Sequence, residues 1–319
     1  TLDCGGNVTL NNADSKLLFS AAGSVDGAVV VSATPNAGKG IDVDVSGATL
    51  NGDLTLDSSA NINIATNSTF FYEGATVDIS NNDSLTLTGA DATSVLQGAN
   101  NLQISNTGNL TIDGDGTHQI GSSSINVLGN LVVNQTGTTV FDVRQFSASV
   151  TGSTDIDGTI QISTGTFTAN GVTDIDGTLE ISGTGIYDSN GDFDATNGSI
   201  TFSAAGFLKL SGSTITSFGT FTRSTGTVEY DGGNQSVIAL SSSSSSSYNN
   251  LTINGTGTKT LAGTSKIYGD LTLTASDFDI NGKTIYLKEN MNRTSGNLIS
   301  GSAANITIDT TDTSNGVKI

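Results

Sequence analysis

Cysteine, proline, methionine and tryptophan are almost missing from this chain of 319 residues, which holds one, one, one and none of them, respectively. A disulfide needs two cysteines, so no internal disulfide can form, and a thiolate metal site is excluded as well. A single proline rules out collagen-like and proline-rich linker sequences. The longest apolar run, residues 28–31, is far shorter than a membrane-spanning segment. We therefore expect no insertion into a membrane.

Positive charge is also scarce, with 11 lysines and arginines against 30 acidic residues and a formal net charge of −19. The basic residues form no cluster along the sequence. A nucleic-acid partner would need a stripe of lysine and arginine to neutralise phosphates, so we do not expect one. Strong acidity suits solubility outside the cell and loose binding of divalent cations.

Glycine and small polar residues are abundant, since the chain has 40 glycines and 35% hydrophobic residues. The same composition continues from one end to the other. It therefore predicts a single continuous body over residues 1–319 rather than a string of different domains.

The clearest pattern is an internal repeat. The run TDIDGTIQIS at 154–163 returns as TDIDGTLEIS at 173–182, and a looser copy follows at 192–202. A fixed period near 20 residues is typical of solenoids, and the alternation of apolar and polar residues is typical of strands with one buried face. Glycine and asparagine supply the turns between strands. The sequence predicts an all-β fold, a right-handed parallel β-helix (β-solenoid) with about 20 residues per rung.

The repeat also predicts which side chains stack on one another inside the solenoid. Aligning the three copies gives two inward columns, one of Ile156, Ile175 and Phe193 and the other of Ile160, Leu179 and Ile200.

Seven consecutive serines, residues 241–247, interrupt the pattern. Serine side chains offer too little apolar surface to order a core. The segment 231–248 is therefore expected to be either a protruding loop or a junction between two sub-blocks. The loop is favoured, because the strand pattern resumes at once with residues 251–253.

A family resemblance is carried by three runs between residues 229 and 287: YDGGNQSV at 230–237, YNNLTINGTGTKTLAG at 248–263 and YGDLTL at 268–273. They resemble repeats of large secreted surface proteins of Bacteroidetes-type bacteria, which are similar to filamentous-haemagglutinin-like adhesins. The resemblance covers about 60 residues. It implies a β-helix at a bacterial cell surface and no particular activity.

The repeated Asp-apolar-Asp triplets are candidate metal ligands. In a strand the middle residue points inward and both aspartates point outward. Carboxylates on successive rungs would lie about 4.8 Å apart and repel one another by about 0.9 kcal/mol in water. A bound Ca²⁺ would relieve that repulsion, whereas the alternative is a set of solvated carboxylates. The candidate ligands for Ca²⁺ are Asp155, Asp157, Asp174, Asp176, Asp192 and Asp194.

An enzymatic role is the alternative to a structural one, because many β-helix proteins are polysaccharide lyases or hydrolases. Such enzymes need acidic and basic groups that converge in a cleft. The nearest such group in the sequence is Asp113, Asp115, His118 and Arg144. We expect His118, the only histidine, to lie on the surface, and we assign no catalytic residue.

The sequence therefore predicts a non-enzymatic structural or adhesive protein, extracellular or on the cell surface. Strand patterns at residues 1–10 and 305–309 favour either head-to-tail self-assembly into a filament or a segment of a longer surface adhesin, because uncovered strand edges pair readily. Surface glycans are the candidate partner other than the chain itself.

Overall fold

The computed structural model describes residues 2–36, 39–43, 48–50, 54–56, 60–64, 69–72, 76–79, 85–88, 93–98, 101–104, 108–121, 124–135, 137–242 and 245–308. All regular elements in these ranges are β-strands, and their pairing is parallel. Strands of one sheet recur about every 21 residues, which confirms the predicted parallel β-solenoid. Within the same ranges no helix is long and apolar enough to cross a membrane.

The chain divides into two compact units, residues 1–161 and 162–319. In the first unit each turn gives one strand to each of three sheets. Sheet A contains β1 (Leu2–Cys4), β4 (Gly23–Val25), β7 (Ala48–Leu50), β10 (Thr69–Tyr72), β13 (Thr93–Gly98), β16 (Gly116–Gly121) and β19 (Thr139–Arg144). Sheet B contains β2 (Val8–Leu10), β5 (Val29–Val31), β8 (Leu54–Leu56), β11 (Thr76–Ile79), β14 (Asn101–Ile104), β17 (Ser124–Val127) and β20 (Ser147–Val150). Sheet C contains β3 (Lys16–Phe19), β6 (Gly40–Val43), β9 (Ala60–Ile64), β12 (Leu85–Thr88), β15 (Leu110–Ile112), β18 (Leu131–Val133) and β21 (Thr154–Ile156).

Strand β22 (Thr159–Ile162) reaches the boundary of the second unit, where five sheets are found. Sheet D contains β25 (Thr178–Ile181), β28 (Ser199–Phe202) and β30 (Thr220–Thr222). Sheet E contains β23 (Thr166–Ala169), β26 (Ile186–Ser189), β29 (Phe207–Leu210), β31 (Thr227–Tyr230), β33 (Asn250–Ile253), β36 (Leu271–Leu273) and β39 (Met291–Arg293). Sheet F contains β24 (Thr173–Ile175) and β27 (Phe193–Asp194). Sheet G contains β32 (Gln235–Val237), β34 (Thr258–Leu261), β37 (Asp277–Asp279) and β40 (Leu298–Ile299), and sheet H contains β35 (Ser265–Ile267), β38 (Thr284–Leu287) and β41 (Asn305–Ile308).

The two-residue alternation in the sequence decides which side chains enter the core. In sheet C, Leu110 faces Leu131 and Ile112 faces Val133 on the next turn, and all four side chains are fully buried. Burying an aliphatic side chain of this size stabilises the fold by about 1.5–3 kcal/mol. Because the same column repeats on each turn, a narrow apolar core is enough to hold the stack together.

The predicted inward columns are confirmed in one place and wrong in another. Leu179 faces Ile200, as the repeat predicts. Phe193, however, faces Thr173 rather than Ile175. A slip of two residues keeps the same side chains inward, so alternation alone cannot detect it. The observed register places Phe193 edge-on to Tyr187, with ring centroids 6.4 Å apart.

Two other members of the predicted columns, Ile156 and Ile160, belong to the first unit, and both are fully buried there. Their inward orientation agrees with the alternation in the sequence. The remaining member, Ile175, is fully buried in the second unit.

Asparagine and aspartate side chains at one corner link each turn to the next. In the first unit Asn109 Oδ1 accepts a hydrogen bond from the backbone N–H of Asn130, at 2.8 Å. In the second unit Asn250 Oδ1 accepts from the N–H of Asp270 at 3.0 Å, and Asp270 Oδ1 accepts from the N–H of Asn290 at 3.2 Å. These side chains satisfy N–H groups where the chain enters a strand.

The segment 231–248, expected to be a loop or a junction, includes strand β32, while residues 243–244 lie outside the described part. Ser247 is fully buried and accepts a hydrogen bond from Arg223 Nε at 2.7 Å. Tyr248 is also fully buried, pairs with Ile267 through a parallel bridge, and donates its hydroxyl to Ile238 O at 2.7 Å. The end of the serine tract therefore contributes to the core.

Candidate functional site

The predicted aspartates of the second unit lie on its outer surface. Asp174 and Asp194 face each other on adjacent turns. Asp194 accepts hydrogen bonds from Thr196, from N–H at 2.9 Å and from Oγ1 at 2.5 Å. Asp176 accepts one from Asn197 Nδ2 at 3.1 Å. Donors from the protein thus offset part of the repulsion between these carboxylates.

Asp192 is one residue before Phe193, so the observed register places it beside Val172 rather than beside Asp174. Its Oδ1 accepts hydrogen bonds from the N–H of Thr214 at 2.9 Å and from Ser213 Oγ at 3.2 Å. The bond from the Thr214 backbone lowers the pKa of this carboxyl. Asp192 therefore anchors the next turn of the chain.

The remaining two predicted ligands, Asp155 and Asp157, belong to the first unit and are half-buried, with Asp155 facing Val132. In the residues that the structure describes, no group of three or more His, Cys, Asp or Glu side chains could hold a metal ion. Of the six aspartates, register pairs only Asp174 and Asp194 within one unit. Binding of Ca²⁺ by this set stays a prediction.

The expectation that His118 lies on the surface is wrong. Its side chain is buried, because its position in β16 points inward and faces Phe141 on the next turn. Its Nε2 lies 3.3 Å from Gly114 O. Burial lowers the pKa of His118, although the hydrogen bond with Gly114 and the charge of Asp113 act in the opposite direction. His118 is a core residue.

The other members of that candidate catalytic group are tied to structural partners. Asp115 Oδ1 accepts hydrogen bonds from the N–H of Thr138 at 2.7 Å and from its Oγ1 at 2.5 Å. Arg144 Nε donates to Asp142 Oδ2 at 2.8 Å, and the same oxygen accepts from Gln119 Nε2 at 3.0 Å. These bonds connect adjacent turns of sheet A and provide no convergent cleft.

A charged column that sequence reasoning missed lies on sheet E. Asp188, Lys209 and Glu229 follow one another on three successive turns. Lys209 Nζ lies 3.7 Å from Glu229 Oε2, and Glu229 Oε1 accepts a hydrogen bond from Asn254 Nδ2 at 2.7 Å. Glu229 is only 8% exposed. Each of the three is the middle residue of an apolar-charged-polar or apolar-charged-apolar run, and that spacing is visible in the sequence.

The electrostatics of this column separate its carboxyl groups. Burial raises the pKa of Asp188, the charges of Asp231 and Glu229 raise it further, and Lys209 lowers it. Asp231 in turn accepts a hydrogen bond from Ser211 Oγ at 2.6 Å. A carboxyl with a raised pKa beside a second carboxylate is an arrangement that acid–base catalysts use. It is the best catalytic candidate among the described residues.

A second cluster combines cations with tyrosines on sheet H and the corner after it. The guanidinium carbon of Arg223 lies 3.7 Å from the centroid of the Tyr268 ring, and Lys288 Nζ lies 4.3 Å from the same centroid. Lys266 Nζ lies 5.6 Å from the centroid of the Tyr286 ring, and these two residues face each other on adjacent strands. The expectation that basic residues stay dispersed does not hold here.

Comparison with protein-family models, curated proteins and solved structures finds no match for the chain. The resemblance to bacterial surface proteins, carried by residues 229–287, therefore stays a prediction.

Proposed function

We propose that the protein is a non-enzymatic structural or adhesive element that works outside the cell, either as a segment of a surface adhesin or as a filament subunit. The observation that supports this most is the stack of parallel strands in each unit, whose inward side chains are buried turn after turn. Such a stack forms a rigid body whose outer faces can contact partners.

The composition supports the extracellular part of this proposal. A net charge of −19 favours solubility and keeps copies apart when they are not assembled. Immunogold labelling of intact source cells tests it: the account expects gold particles on the outer surface. Labelling only after the cells are permeabilised would contradict an extracellular role.

Self-association is proposed on the exposure of β41. Ile306 and Ile308 of this strand are 45% and 47% exposed, and β41 pairs with β38 along one edge. An apolar strand with an uncovered edge favours strand addition from a second copy. Electron microscopy of the purified chain should show fibres, which the variant Ile306→Lys/Ile308→Lys should not form. Monodisperse particles at high concentration would exclude the filament role.

The alternative function is polysaccharide cleavage, and the column of Asp188, Lys209 and Glu229 is the observation that favours it. A protonated Asp188 could donate a proton to a glycosidic oxygen while Glu229 remains ionised. The assay follows new reducing ends and unsaturated products from a panel of polysaccharides. Release of product that Asp188→Asn and Glu229→Gln each abolish would establish the enzyme and replace the structural proposal.

A further inference from the structure

The cluster of Arg223, Lys266, Tyr268, Tyr286 and Lys288 has no role in holding the core, because all five side chains are only half-buried. We propose that this cluster, called here the cation–tyrosine patch, is a binding site for an acidic polysaccharide. The inference rests on the adhesive role proposed above and gives that role a ligand class and a location.

The patch holds two cations close together. Arg223 and Lys288 both lie over the Tyr268 ring, so the two charged groups are at most about 8 Å apart, the sum of their distances to its centroid. Arg223 is also fixed by its hydrogen bond to the buried Ser247. Cation–π attraction and this bond pre-organise the guanidinium. Two fixed positive charges at this separation are an attractive site for an anionic group.

Charge in the patch contrasts with the rest of the chain. Three of the 11 basic residues meet here in a protein with 30 acidic ones. Among the described residues, neither Arg223 nor Lys266 has a carboxylate within ion-pair distance. A planar guanidinium binds carboxylate or sulfate groups through two parallel hydrogen bonds. The patch is therefore suited to a ligand that carries such groups.

The tyrosines indicate that the ligand is a sugar polymer. Lys266 lies near the outer limit of a cation–π contact with Tyr286, so this half-buried ring is less tightly covered than the Tyr268 ring. An aromatic ring packs against the C–H groups of a sugar, and its hydroxyl group can bond to sugar hydroxyls. The pairs Lys266–Tyr286 and Tyr268–Lys288 each bridge adjacent turns, spaced by about 4.8 Å. This array suits an extended chain of repeating units.

The overall negative charge favours a polysaccharide in which charged sugars alternate with neutral ones, because the field of the chain opposes a denser polyanion. A hyaluronan oligosaccharide is therefore the probe. Titration calorimetry of the full chain at low salt should detect binding, and Arg223→Gln/Lys288→Gln should weaken it by roughly tenfold or more. Tyr268→Leu should also weaken binding, because both cations lose the ring that positions them.

The control variant Lys16→Gln/Lys39→Gln removes the same charge from the first unit and should leave the affinity within about twofold. A chondroitin sulfate arm distinguishes sulfate from carboxylate recognition, and dextran tests whether charge is needed. Circular dichroism checks that every variant folds. If the double variant does not fold, the single variants Arg223→Lys and Lys288→Gln give the comparison.

Equal affinities of wild type and the patch variants would overturn the proposal, and so would tighter binding of a single-stranded oligonucleotide or equal binding of dextran. The same mixtures are analysed for cleavage products. Cleavage would contradict the non-enzymatic function while leaving the binding site in place. Unchanged affinity in the patch variants without cleavage would remove the site and leave the structural role.

Discussion

A Cβ atom added at Gly191 would lie 2.1 Å from the carbonyl oxygen of Gly171 on the preceding turn. The next turn repeats the relationship, since a Cβ atom at Gly212 would lie 2.0 Å from Gly191 O. Real Cβ atoms do not come so close to backbone oxygen. Successive turns can therefore stack at this corner only because it carries glycine on each of them.

The first prediction follows from this column. Gly191→Ala should destabilise the second unit by about 1–3 kcal/mol, because the methyl group forces adjacent turns apart. Gly233→Ala is the matched control, since nothing lies within 4 Å of its Cβ position. Urea unfolding measures both variants. Equal midpoints for the two alanine variants would contradict the stacking described for this corner.

The corner ladder gives a second prediction. Asp270 Oδ1 accepts from both the N–H and Nδ2 of Asn290, at 3.2 and 3.0 Å. Asp270→Ala leaves these donors without that acceptor and should reduce the free energy of unfolding by about 1–3 kcal/mol. Asp270→Asn keeps one carbonyl oxygen and should lose less. If thermal melting finds the two variants equally stable, the ladder does not stabilise the fold.

A buried lysine predicts an unusual pH dependence. Lys259 is fully buried, and its Nζ donates to Gly232 O, Gly233 O and Thr256 O at 2.6–2.8 Å. Burial lowers its pKa from 10.5 to about 8, although Asp231 acts in the opposite direction. Between these two values the unfolded chain binds more protons at this site, so the stability that the site contributes rises with pH.

The measurement is the difference in free energy of unfolding between wild type and Lys259→Met from pH 7 to 10.5. It should change in favour of wild type as pH rises above about 8. Lys266→Met, at a half-buried site, is the control and should show a flatter difference. A flat difference for Lys259→Met would mean that the lysine keeps an ordinary pKa.

The proposed Ca²⁺ ligands are tested by chelation. If Asp174 and Asp176 help to bind Ca²⁺, EDTA should lower the melting temperature, and Asp174→Asn/Asp176→Asn should remove that sensitivity. Mg²⁺ serves as the control ion, because it requires a more regular geometry. Superimposable melting curves with and without EDTA would eliminate the metal site.

The fold was predictable because strand alternation and turn chemistry are local properties of the sequence. The contact between Leu179 and Ile200 was also predictable, since both residues occupy matching positions in strands of the repeat. The position of Phe193 was not, because the third copy has lost the pattern that would fix its register. Its placement depends on aromatic packing with Tyr187, which belongs to a different sheet.

The charged sites differ in the same way. Asp188, Lys209 and Glu229 recur at nearly the solenoid period, so aligning the turns would have found them. The contact of Arg223 with Tyr268 was hidden, because the serine tract separates them in sequence. A long side chain reaches across the turn that this tract completes. Such contacts depend on tertiary geometry rather than on any local pattern.

The most direct test of a non-enzymatic adhesive role is to hold the full chain with hyaluronan for a day and then measure two quantities. One is the fraction of polysaccharide bound to the protein, and the other is its length distribution by size-exclusion chromatography. The account predicts a bound fraction that depends on Arg223 and Lys288, with no change in length. Shortening of the polysaccharide that Glu229→Gln prevents would contradict it.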